Sequence, residues 1–167
     1  MNRCMTLVCL LVIGLGGCSG ESASSAGKGN NVFSNTNENK GHHHAAGDKL
    51  VWPLKDVEHE GYLISLGHHG DHFHGGDMIE PAAIVTRDGQ AVSNARVFNA
   101  LVSEDGQKVL VDEVAAVFEP ETDHEPAHFA QGELQIPKGV TVFLIRFRIE
   151  LPDVEQPYTS EVRVEGH

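Results

Sequence analysis

Thr141-Val142-Phe143-Leu144-Ile145-Arg146-Phe147-Arg148-Ile149-Glu150-Leu151 decides the fold. Phe143, Ile145, Phe147, Ile149 and Leu151 recur at every second position, with Arg146, Arg148 and Glu150 between them. A period of two sends alternate side chains to opposite faces of a strand, so one face is core and the other is wet. Tyr158, Val162 and Val164 repeat the pattern against Glu161 and Arg163. Upstream, Arg87-Asp88-Gly89-Gln90 and Glu104-Asp105-Gly106-Gln107 each place Asp-Gly between apolar-rich runs, a strong hairpin signal. Pro137-Lys138-Gly139 marks a third turn. No stretch beyond Leu50 keeps a 3.6-residue period for three turns, which leaves an all-β reading. Strands are expected over 61–66, 82–86, 95–103, 108–112, 114–118, 129–136, 140–151 and 158–165. Seven or eight strands at this spacing predict an immunoglobulin-like, two-sheet antiparallel sandwich over 48–167.

The stretch from Ile84 to Val97, containing Asp88-Gly89-Gln90-Ala91-Val92-Ser93-Asn94-Ala95-Arg96-Val97, and the later Gly132-Glu133-Leu134-Gln135-Ile136-Pro137-Lys138-Gly139 resemble small bacterial immunoglobulin-like envelope modules of the YtkA-like and carboxypeptidase-regulatory-like groups. The resemblance runs over about 82–164 and implies a sandwich. It implies no activity, because such sandwiches carry many functions.

The first residues read as an export signal. Arg3 supplies a positive n-region, Leu7 to Leu15 an apolar core, and Gly16 and Gly17 small residues before a cut. The run is too short for a permanent membrane span. Leu15-Gly16-Gly17-Cys18 resembles a bacterial lipobox. The resemblance implies cleavage before Cys18, a diacylglyceryl group on its thiol and an acyl group on the new amine. Several acyl chains on one residue make a stable anchor. Ser19 after the cysteine implies sorting to the outer membrane, facing the periplasm. Residues 18–47 then carry the lipidated Cys18 and a tether rich in Ser, Gly and Asn, in which only Val32 and Phe33 are large and apolar. That composition predicts disorder, with an end-to-end distance on the order of 30 Å. Within it, Gly41-His42-His43-His44 is a solvated polar tract or a weak metal trap.

Loss of residues 1–17 would leave one domain's worth of chain. Cys4 and Cys9 would leave with the signal and Cys18 would become the anchor, so no disulfide, thiolate site or cysteine nucleophile is expected in the body. Twelve basic residues face 24 acidic ones, and losing Arg3 turns 12 − 24 into 11 − 24, or −13. Such a charge disfavours nucleic acid and favours divalent cations.

The chain has eleven histidines. His68, His69, His72 and His74 cluster with Asp71 and Asp77 on a glycine-punctuated stretch, and His124 and His128 form a second group. Imidazole is a common metal ligand and needs close partners to chelate. His72 and His74, two apart, project to one side of an extended chain. Asp71 and Asp77 offer hard oxygen donors or acceptors for ring N–H groups. Without thiolates the donor set is nitrogen and oxygen, which suits Zn, Ni, Co or Cu(II), and no organic cofactor is expected. His59, between Glu58 and Glu60, is a further metal candidate or an ion-paired surface histidine.

His124-Glu125-Pro126-Ala127-His128 satisfies the H-E-x-x-H pattern of zinc proteases. That chemistry needs a helix to put both imidazoles on one face, and Pro126 and the flanking strand patterns oppose one. No nucleophile elbow, phosphate loop or dinucleotide fingerprint is present, so a non-enzymatic protein is expected. Trp52 beside Pro53 reads as a core or edge plug. Two function classes follow. One is an anchored periplasmic protein that binds or buffers divalent transition metal, accessory to an efflux system or another envelope protein. The other is an envelope protein-interaction module whose histidines are incidental or sense pH.

Overall fold

The computed structural model describes residues 49–167, so the signal segment, Cys18, the tether and the His42–His44 tract lie outside the described residues. The described chain is all-β. Its strands are β1 (Leu50–His59), β2 (Tyr62–His69), β3 (Met78–Arg87), β4 (Gln90–Ala91), β5 (Arg96–Ser103), β6 (Val109–Ala115), β7 (Val117–Glu119), β8 (His128–Ala130), β9 (Leu134–Gln135), β10 (Val142–Glu150) and β11 (Tyr158–Glu165). They form a two-sheet antiparallel sandwich. One sheet runs β1-β2-β3-β8-β7, with β4 and β9 also paired to β3; the other runs β11-β10-β5-β6. Among the described residues no helix is long and apolar enough to cross a membrane.

The alternation in β10 is realised residue by residue: Phe143, Ile145, Phe147 and Ile149 are all fully buried. Against them the other sheet turns Tyr62, Ile64, Leu66, Ile79, Ala83, Val85 and Phe129 inward. The outer side of β10 carries an ionic lattice. Arg148 binds Glu113 at 2.8 Å and Glu150 at 2.5 Å, and its guanidinium lies 4.0 Å from the centre of the Phe98 ring. Arg96 binds Glu150, Arg146 binds Glu161, and Arg163 binds Glu104 and Glu165. Hydrogen bonding to Arg148 holds Glu113 below the usual carboxylate range, and the same contact raises the guanidinium's own value.

Both Asp-Gly turns form as expected. Asp88 and Gly89 take φ of 53° and 76° between β3 and β4, and Gly106 takes 70° between β5 and β6. Elsewhere the strands differ from expectation. The expected break between 108–112 and 114–118 falls instead at Ala116, where the chain leaves the four-stranded sheet at β6 and enters the other at β7. The expected strand 129–136 is two short ones, because Gln131 turns the chain with φ of 64°. The expected strands 61–66 and 82–86 are longer, reaching His69 and starting at Met78.

Strand β1 was not expected. It pairs with β2 on one side and carries Pro53, and its register slips on either side of Leu54. Proline and bulges are tolerated on an edge. A tight Glu60-Gly61 turn, φ 51° and 78°, joins the two strands. Trp52 is the edge plug: a β-carbon added at Gly67 would lie 2.8 Å from its ring, so the glycine is what lets β1 close over β2.

Candidate metal centre

Strand parity distributes the first histidine group. In β2, Tyr62, Ile64 and Leu66 face the core. His68 shares their side and meets the edge of Phe73 at 5.4 Å between ring centroids. Burial pushes its imidazole below the ordinary value of 6.5, so His68 stays neutral. His69 therefore faces the outer side of the sheet, where Glu80 of β3 is its register partner. It is nonetheless only 4 % exposed.

The second group arrives by the same rule. Phe129 belongs to the core, which places its neighbour His128 on the outer face. Phe118 packs against the core one strand away, which places Glu119 outside as well, in register with His128. His128 is 2 % exposed, and its ring centroid lies 6.0 Å from that of His69. The two histidine groups thus meet through one member of each.

The immediate surroundings of His128 fix its chemistry. Its Nδ1–H donates to the carbonyl of Pro126 at 2.8 Å, which leaves the lone pair on Nε2 in the neutral ring. That Nε2 is buried without a hydrogen-bond partner and faces Glu119 Oε2 at 3.8 Å. Glu119 Oε1 accepts from the Gln131 side-chain amide at 2.5 Å, while Gln131 N–H donates to Glu80 Oε1 at 2.7 Å. Gln131 therefore ties both carboxylates to one backbone position. The buried imidazole lone pair thus faces the oxygen of a partly exposed carboxylate, and a cation between the two would be attracted by both. Around tetrahedral zinc, bonds of about 2.0–2.2 Å put donor atoms roughly 3.3–3.5 Å apart. An approach of a few tenths of an ångström would bring Nε2 and Oε2 to that separation. Among the described residues no three His, Asp or Glu side chains already surround one point at ligand distance.

Among the described residues the remaining candidates do not complete this pair into a three-ligand group. Residues 71–77 do not form a strand, and His72 and His74 turn to different partners. His72 is exposed, 3.7 Å from Asp71 and 5.1 Å ring to ring from His167. His74 is held by Asp77, whose Oδ2 accepts from the His74 backbone N–H at 2.8 Å and lies 3.3 Å from Nδ1. His124 is exposed in the β7–β8 connection, capped by Thr122 Oγ1. The H-E-x-x-H stretch is thus loop running into strand, with its two imidazoles in different environments. His59 packs on Tyr158 at 5.0 Å between rings, linking β1 to β11.

A cleft of about 290 Å³ opens beside the buried pair, lined by His69, Gly70, His72, Phe73, Asp77, Met78, Glu80 and Glu133. The described arginines other than Arg87 sit in the ionic lattice on the opposite sheet. Glu80, Glu119 and Gln131 were not singled out in the sequence. Only strand parity and register, which require the pairing to be known, would have found them. No protein-family model, curated protein or solved structure matches the chain.

Proposed function

We propose that this protein is a lipid-anchored, periplasm-facing envelope protein that binds a divalent transition metal, Zn, Ni, Co or Cu(II), between His69 and His128, with Glu119 as the carboxylate ligand. The observation that carries the reading is His128: its tautomer is set by Pro126, and its buried Nε2 lone pair faces a carboxylate. Metal-bound histidines ordinarily have the second ring nitrogen fixed in this way. The donor set of imidazole and carboxylate suits the metals named. At 2 % and 4 % exposure the two imidazoles are held inside the fold, which suits retention of an ion. The lipobox at Leu15-Gly16-Gly17-Cys18 supports the anchor, and an accessory role beside an efflux system fits that address.

The same Nε2–Oε2 pair favours one other reading, in which the cation is a proton and the sandwich is a pH-sensing interaction module. Calorimetric titration separates the two. The full chain, with His42, His43 and His44 changed to Gln and its thiols alkylated, is titrated with each metal. One saturating site with Kd below about 1 µM, lost in His69→Gln/His128→Gln, is expected for this ligand set. Non-saturating heat at millimolar metal would contradict the metal reading and favour the proton.

A further inference from the structure

The cleft beside the buried pair has its own composition, and its position gives it a use. His69 both lines this cleft and lies 6.0 Å ring to ring from His128, so the cleft is one route from solvent to the proposed centre. The donors at its mouth are exposed: the His72 side chain is 72 % accessible and that of Asp77 49 %, and Glu133 is exposed too. The mouth is also fixed in place. Gly76 N–H donates to the Ile136 carbonyl at 2.8 Å, Ile136 N–H to Asp77 at 2.9 Å, and His167 N–H to Phe73 at 2.8 Å. Phe73, 5 % exposed, forms an apolar wall.

An aqua ion cannot reach two nearly inaccessible imidazoles in one step without shedding most of its water, which is costly in a low-dielectric site. Donors at the mouth spread that loss over successive exchanges, one water leaving as each protein ligand binds. Taking the metal reading as its basis, we infer that His72, Asp77 and Glu133 form a capture station: they take a divalent transition cation from solvent and pass it through His69 to the buried centre, and they are not ligands of the final state.

A group touched only in transit lowers the barrier in both directions. Its removal therefore slows loading and release by the same factor and leaves the affinity unchanged. Cobalt(II) uptake followed by stopped-flow visible absorption reads this directly, with release followed after addition of excess chelator. The full chain carries the His42, His43 and His44 to Gln changes with thiols alkylated, and is compared with and without His72→Gln/Glu133→Gln. The expected result is a roughly ten-fold fall in both rate constants, in the range that charged clefts contribute to association, with Kd held within two-fold. Faster release at unchanged loading would make His72 or Glu133 a ligand of the final state and overturn the inference. Unchanged rates would also overturn it. Failure of the chain with an unsubstituted mouth to bind cobalt at all would remove the metal reading itself, an outcome distinct from either.

Discussion

The rings of His69 and His128, 59 residues apart in sequence, lie 6.0 Å apart on the outer face of the seven-stranded sheet, each almost completely buried. Glu119 faces the second of them at 3.8 Å. If the carboxylate is a ligand, Glu119→Gln removes charge while keeping shape. The expected loss is about 10- to 100-fold in zinc affinity, with the melting temperature in chelator changed by only a few degrees. Competition titration against a chromophoric chelator gives the affinity. Unchanged affinity would remove Glu119 from the site.

His68 predicts a pH dependence of its own. Its folded value lies below 6.5 because of burial, so the unfolded chain binds more protons between the folded value and about 6.5. The stability contributed by neutral His68 is complete above that window and is lost as pH falls into it. The slope from this one group is no steeper than about 1.4 kcal/mol per pH unit. Urea midpoints in chelator at pH 7.5 and 5.5 should fall further for the wild type than for His68→Phe. Equal falls would show that His68 is not held neutral.

Gly67 is where β1 closes over β2. Gly67→Ala should cost about 1–3 kcal/mol, the usual range for overpacking, because the added carbon meets Trp52 and the Val51 backbone. Displacement of β1 would also expose Trp52, the chain's one tryptophan, and shift its fluorescence to the red. Wild-type stability and emission would contradict the close approach.

The lattice around Arg148 should contribute modestly despite its many contacts. The side chains are 29 % and 40 % accessible for Arg148 and Glu113, so solvent screens the pair. Arg148→Ala should cost about 1 kcal/mol at low salt, partly through lost packing on Phe98, and less at 1 M NaCl. Thermal melts at the two ionic strengths give the difference.

The fold was legible wherever one face is apolar and the other charged, as in β10 and β11, and wherever Asp-Gly supplies the positive φ of a hairpin. Strand β1 was not, because Pro53 and two register slips break its alternation and its outer residues answer to an edge rather than a core. The histidines of the site were visible as a composition, but their grouping was not. The glycine-punctuated stretch groups His68 and His69 with His72 and His74, whereas β2 runs through the first two and sends them to opposite faces. Glu119 and Glu80 reach the site through pairing across β7, β8, β2 and β3, and pairing partners are not written in any local pattern.

Zinc K-edge X-ray absorption tests the proposed centre most directly, on the full chain with His42, His43 and His44 changed to Gln, thiols alkylated and one equivalent of zinc. The account predicts two imidazoles at about 2.0–2.1 Å with carboxylate oxygen beside them, falling to one imidazole in His128→Gln. A shell of oxygen alone, or one unchanged by His128→Gln, would contradict it.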